Sequence, residues 1–151
     1  MTNFYNVLPW ILAMMANMKK GGQNMNLLVC TYVEGFDQAL EFYKSAFEAH
    51  LDDKWKNADG TYGFYELILN NGVRFALGAR EGKWAIEGET NSGNTMQICL
   101  LYKEGDIAKL EKAYNILRVG AQILYPLGRA EHTDHTCDLV DKFGLRWCLM
   151  V

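Results

Sequence analysis

The hydrophobic positions change period several times along the chain. Asn26 to Val33 is a short apolar run with β-branched content, which predicts a strand ended by Gly35. In Phe36 to Phe47 the apolar residues Ala39, Phe42, Tyr43, Ala46 and Phe47 recur at three- and four-residue spacing, the signature of a helix with one buried face. Ala49 to Lys56, Phe64 to Leu69 and Val73 to Arg80 read as strands. Asn57-Ala58-Asp59-Gly60 and Asn70-Asn71-Gly72 mark the turns between them, since Asn and Gly accept positive φ. After a polar, Gly-rich connection from Glu81 to Asn94 the order restarts. Thr95 to Tyr102 predicts a strand. Asp106 to Val119 predicts a helix with the stripe Leu110, Ala113, Tyr114 and Leu117, an N-cap at Asp106 and a C-cap at Gly120. Ala121 to Leu127, His135 to Val140 and Leu145 to Val151 predict three more strands.

The repetition is also literal. Gly72-Val73-Arg74-Phe75-Ala76-Leu77 returns 72 positions later as Gly144-Leu145-Arg146-Trp147-Cys148-Leu149. Tyr32-Val33-Glu34-Gly35 returns 70 positions later as Tyr102-Lys103-Glu104-Gly105, and Leu40-Glu41 as Leu110-Glu111. Two echoes at nearly one spacing imply a duplicated unit of about half the chain. The fold class expected is α+β. Two tandem βαβββ units, repeat one 25–90 and repeat two 95–151, form a curved mixed eight-stranded sheet with an inner cleft and helices outside.

Residues 1–24 stand apart. Phe4 to Met18 is mostly apolar, but Lys19 and Lys20 follow the run, where a signal peptide would have them before it. The run is also short for a membrane-spanning helix. It reads in two ways: an apolar arm packed on the domain or on a second copy, or translated upstream sequence. In the second reading the codons of Lys20-Gly21-Gly22 form a purine-rich ribosome-binding site and Met25 is the natural start.

Composition narrows the partners. A formal charge of −3 over 151 residues leaves no basic stripe for phosphates, so no nucleic-acid partner is expected. Cys30, Cys99, Cys137 and Cys148 show no CxxC spacing and fall in apolar runs, which fits reduced thiols in a cytoplasmic protein. No phosphate-cradling glycine loop or nucleophile elbow occurs.

Three segments resemble the vicinal oxygen chelate superfamily (glyoxalase I, bleomycin-resistance proteins, extradiol dioxygenases), and within it the PhnB-like branch labelled similar to 3-demethylubiquinone methyltransferase. They are Ala39 to Phe47 after the first strand, Tyr65-Glu66-Leu67 in the third, and Asp141-Lys142-Phe143-Gly144-Leu145-Arg146-Trp147 at the end. The branch usually has Pro where Lys142 stands. The resemblance covers Met25 to Val151 and implies a small-molecule ligand, a homodimer and, in many members, a divalent metal ion held by two strand positions in each half. Placed by distance from helix and hairpin, those positions are Leu27, Ala76, Gln97 and Cys148. Leu27 and Ala76 cannot coordinate, so no cofactor is expected; a divalent ion is the alternative. No glycine-rich methyl-donor motif supports the methyltransferase label.

Alternation from Leu27 puts Val29 and Thr31 in the cleft and Cys30 and Tyr32 under the helix. On the closing strands Arg74, Ala76, Arg146, Cys148 and Met150 face the cleft. Arg74 and Arg146 either hold an anionic or carbonyl-bearing ligand or snorkel to water. Glu66, equivalent to Asp138, is a candidate general base or the partner of a neighbouring cation. The polar segment His132 to Cys137 corresponds to a loop over the cleft mouth in the PhnB-like pattern. His132 and His135 there read as ligand contacts, as a metal pair, or as plain polar loop. Tyr62, Tyr65, Trp84 and Tyr125 are candidate aromatic walls. The expected ligand-binding set is Arg74, Gln97, Tyr125, His132, His135, Arg146 and Cys148. The function expected is a binder of a small organic molecule without the usual metal, or alternatively a metal-dependent lyase, isomerase or dioxygenase.

Overall fold

The structure is a computed structural model, and it describes residues 28–57, 59–70, 72–80, 95–131 and 133–151. The order is β1 (Val29–Val33), α1 (Phe36–Phe47), β2 (His50–Lys56), β3 (Tyr62–Ile68), β4 (Arg74–Ala79), β5 (Ile98–Leu101), α2 (Ile107–Leu117), β6 (Gln122–Ala130), β7 (Thr133–Val140) and β8 (Arg146–Met150). Each half is βαβββ. The eight strands are hydrogen-bonded as two mixed sheets of four, ordered β1-β4-β3-β2 and β5-β8-β7-β6. In each sheet the opening strand lies parallel to the closing one, and the other neighbours are antiparallel. The polar connection 81–94, the arm at 1–24 and the positions Leu27, Trp84 and His132 lie outside the described residues.

Helix α1 spans the range that its spacing predicts, and it buries Ala39, Leu40, Tyr43, Ala46 and Phe47. It begins where Gly35 turns the chain at φ +67. Helix α2 is shorter than predicted. A 3-10 turn, Glu104–Asp106, precedes it, and Asp106 makes no cap hydrogen bond but an ion pair with Lys109 at 2.7 Å. The two helices pack together and onto β4 and β8, so one apolar core joins both halves. Phe75 and Leu77 fill it from β4, Trp147 and Leu149 from β8, all nearly fully buried.

A carboxylate sits inside this core. Asp141, in the β7–β8 turn and 4% exposed, accepts hydrogen bonds from Tyr43 Oη (2.7 Å), Trp147 Nε1 (2.8 Å) and the backbone N–H of Phe143 (2.8 Å) and Leu145 (3.1 Å). A buried charge is tolerable only when its lone pairs are met in this way. Tyr43 belongs to the first half, so the Asp-x-Phe-Gly segment fastens one repeat to the other. Burial against that carboxylate pushes the Tyr43 phenol far above its ordinary value.

Register corrects the face assigned to β1. Val29 pairs with Phe75, Thr31 with Leu77 and Val33 with Ala79, so these three turn to the helices. Cys30 and Tyr32 pair with Ala76 and Gly78 and turn away from them. Thr31 is buried and donates to Ala76 O (3.2 Å), whereas Tyr32 is 43% exposed. A one-residue slip reverses every side chain of a strand, and its source is visible. Cys99 pairs with Cys148 as Cys30 pairs with Ala76. The opening strands are therefore 69 residues apart, while the buried helix positions Leu40 and Leu110, or Phe47 and Leu117, are 70 apart. The 3-10 turn before α2 absorbs the extra residue.

Candidate functional site

The face of each sheet turned away from the helices, the open face, carries the candidate chemistry. In the first half it presents Cys30, Tyr32, Glu66, Arg74, Ala76 and Gly78; Glu66 pairs with Ala76 across β3 and β4. In the second it presents Gln97, Cys99, Leu101, Asp138, Cys148 and Met150, with Asp138 opposite Cys148. Glu66 and Asp138 are thus equivalent in space as well as in sequence.

Both arginines are already engaged by these acids. Arg146 grips Asp138 with two parallel bonds, Nε to Oδ1 at 3.0 Å and Nη2 to Oδ2 at 2.6 Å, the bidentate fork suited to a carboxylate. Arg74 is bound to Glu66 and, through Nη2, to Asp52 at 2.7 Å. The environments differ. Asp138 is partly open, and the Arg146 guanidinium holds its carboxyl below the usual range. Glu66 is 2% exposed, and burial raises its carboxyl although Arg74 pulls the other way. A raised carboxyl suits a general base, but Arg74 engages Oε1 of Glu66 in this arrangement.

The remaining candidates scatter. Gln97 Oε1 accepts from Cys99 Sγ at 3.5 Å, and the Gln97 amide also bonds Asp138. Tyr125 pairs with Asp138 and shares its face; its hydroxyl donates to Arg129 O at 2.6 Å. The segment that corresponds to a loop in the PhnB-like pattern is strand from Thr133, two residues before the predicted start at His135. His135 lies two residues from Cys137 and four from Leu139, both core residues, so alternation sends it to the helix side, away from Asp138 and Cys148. Asp134 pairs with Arg129 across the hairpin at 3.0 Å. Tyr65 is also on the helix side, stacked on Phe36 at 4.4 Å and donating to Asp37 at 2.8 Å; Tyr62 packs beside it. Neither is a wall of the open face.

Sequence reasoning missed two features. One is Tyr32, whose ring covers Gly78 so closely that a Cβ there would lie 2.6 Å from it. The other is the pair Cys99–Cys148. Strand register alone would have exposed both.

The register also moves the inherited metal positions. With strands 69 apart, the residue matching Gln97 is Leu28, not Leu27. The four positions become Leu28, Ala76, Gln97 and Cys148. Two carry no donor atom, Gln97 is neutral, and burial raises the Cys148 thiol. Among the described residues no three His, Cys, Asp or Glu side chains gather as a metal would need. These residues do not fit a hard divalent ion with oxygen and nitrogen ligands.

Two grooves lie where the halves meet. One, about 270 Å³, is lined by Phe47, Leu69, Leu101, Tyr102 and Lys109 among others. The other, about 490 Å³, is lined by Tyr32, Arg80, Gln122, Lys142 and Phe143 among others. They are equivalent under the repeat, since Tyr32 and Leu101 hold the same strand position.

No family model matches the chain, and no curated protein does. Solved structures do match. One is a protein from Bacillus cereus described as a putative 3-demethylubiquinone-9 3-methyltransferase, PhnB protein. It has a TM-score of 0.66 and 18% identity over 85% of this chain and 98% of that one. A glyoxylase/bleomycin resistance protein/dioxygenase domain from Frankia sp. matches at TM-score 0.62 and 15% identity, over 86% and 98%. The fosfomycin resistance protein FosX of Listeria monocytogenes matches at TM-score 0.60 and 8% identity, over 85% and 93%; a FosX variant has been solved with Mn(II) and a dihydroxypropylphosphonic acid. The paired βαβββ halves, their strand order and these matches give the chain the fold of the vicinal oxygen chelate superfamily, with a PhnB-like protein among its structural neighbours.

Proposed function

We propose that this protein binds a small, largely apolar organic molecule on the open face, in the manner of a bleomycin-resistance-type binder, without the hard divalent ion of its metal-dependent relatives. The observation that carries this reading is the placement of exposed bulk. Tyr32 (43%), Tyr125 (41%) and Leu101 (68%) all stand on the open face, and Tyr32 and Leu101 also border the two grooves. Exposed aromatic and aliphatic side chains gathered on one face of a sheet are a common mark of such a binding surface. Arg74 and Arg146 act here as braces for Glu66 and Asp138; Gln97, Cys148 and Tyr125 remain the ligand-facing candidates.

The same reading includes a cytoplasmic homodimer formed by residues 25–151. Supporting it, strand β6 is an outer strand with Ile123, Leu124 and Tyr125 exposed, a run that an outer strand in a lone chain seldom leaves uncovered. Four free thiols agree with a reducing compartment. Among the described residues no helix is long and apolar enough to cross a membrane.

The test is metal analysis of the untagged protein, followed by thermal-shift screening against Mn, Fe(II), Ni, Zn and a library of small aromatic and aliphatic compounds. Mass action requires a true ligand to raise the melting point with its concentration. An organic hit whose NMR shifts map to Tyr32, Leu101 and Cys148 supports the binder. One hard divalent ion per chain, needed for stability, would overturn it.

A further inference from the structure

The second half differs from the first at one point of the open face: it carries two thiols where the first carries one. Cys99 and Cys148 are direct register partners in parallel neighbouring strands, with side chains on the same face. Parallel register places their side chains next to each other across the β5–β8 ladder. Cys99 is exposed and Cys148 mostly buried, so the pair is open to solution from one side. Gln97 Oε1 lies 3.5 Å from Cys99 Sγ, and Thr136 Oγ1 lies 4.0 Å from Cys148 Sγ. The Arg146 guanidinium is close enough to feel both sulfurs. In the first half Cys30 occupies the place of Cys99, but its register partner is Ala76.

We propose that Cys99 and Cys148 form a two-thiolate site for a soft, thiophilic d10 cation of the Cu(I) class. The donor set decides the class of ion. Thiolates select soft metals, and a two-coordinate ion needs no third ligand. Gln97 is neutral and Asp138 is held by Arg146, so the tetrahedral set of a zinc site is missing. The charge balance is explicit. Two thiols release two protons to water, two sulfur–metal bonds form, and the metal keeps its oxidation state. The product carries one net negative charge; the Arg146 guanidinium lies nearby and lowers its cost, although Asp138 already shares that cation. Strand β5 is outermost in its sheet, so Cys99 can shift to set the sulfur–metal–sulfur angle without breaking a second ladder.

The test uses the full, reduced chain under anaerobic conditions, titrated with Cu(I) against a competing bicinchoninate chelator. One ion per chain is expected, with a sulfur-to-metal charge-transfer band and two of the four thiols protected from a thiol reagent. Cys99→Ser and Cys148→Ser each lower affinity at least ~100-fold because the site loses half its donors. Arg146→Gln lowers it about tenfold. Cys30→Ser leaves it unchanged and acts as the internal control. Cys99 is exposed, so its variant remains informative if Cys148→Ser fails to fold. Failure of the wild type to withdraw Cu(I) from the chelator, or undiminished binding in Cys99→Ser, overturns the proposal. The organic-compound arm of the screen contains no Cu(I), so the organic-ligand reading is decided separately from either result.

Discussion

Where β4 carries Ala76 beside Cys30, β8 carries Cys148 beside Cys99. Where the first hairpin has Leu69, the second has Asp141 holding Tyr43 and Trp147. Where Gly78 lies under Tyr32, Met150 lies beside Leu101. Yet the strand order, the helix stripe and the Arg–carboxylate pair recur in both halves. The duplicated unit has therefore kept what builds a sheet against a helix. It has diverged at the seam between the halves and on the open face. Those are the two places where one half meets something that is not its own copy.

The largest expected effect is at the seam. Replacing Asp141 by Leu, the first half's residue, removes the acceptor for two buried side-chain donors and two backbone ones. Chemical denaturation should show a loss of about 3–5 kcal/mol. If the loss stays within the scatter of surface substitutions, Asp141 does not fasten the halves.

Next come the arginines. Arg74→Ala strands a nearly buried Glu66 and should cost about 2–3 kcal/mol in the same assay. Arg146→Ala leaves a partly solvated Asp138 and should cost about 1 kcal/mol or less. Equal losses would mean that the two pairs are not distinguished by burial. Gly78→Ala pushes a Cβ into the Tyr32 ring and should destabilise by about 1–3 kcal/mol. Removing the ring as well, in Tyr32→Ala with Gly78→Ala, should recover part of that loss.

The smallest effect is in acid, and it has opposite sign in the two halves. Burial raises the Glu66 carboxyl, so its contribution is present while the group is protonated and is lost as pH rises through its folded value. Asp138 is held low, so its contribution is present above its unfolded value and is lost as pH falls through the folded one. Glu66→Gln should therefore steepen the rise of stability with pH above about 4.5, and Asp138→Asn should flatten it below about 4. Urea midpoints measured from pH 3 to 7 separate the two; slopes that move together would refute the assignment.

Much of the frame was legible in order. The three-to-four spacing of Ala39, Tyr43, Ala46 and Phe47 fixed α1 to the residue, because a buried helical face leaves a local record. The echo of Gly72 to Leu77 in Gly144 to Leu149 located both closing strands and the matched Arg74 and Arg146. Faces on β1 were not legible. The literal echo at 70 residues follows the helices, while the strands keep 69, and alternation converts one residue of error into the opposite face. The strand read at His135 to Val140 begins two residues earlier, at Thr133, inside a segment that the PhnB-like pattern gives as a loop, because ladder bonds to β6 and β8 hold those polar residues extended.

The sequence by itself determined the duplication, the βαβββ order and the loss of donor atoms at Ala76, because each is a matter of local pattern or of residue identity. Only the tertiary structure decided that Arg74 and Arg146 are held by Glu66 and Asp138, that Tyr43 reaches across to Asp141, and that Cys99 stands against Cys148. Those pairings join residues 8, 98 and 49 positions apart. They depend on strand register and on the docking of one half against the other, which no local pattern records.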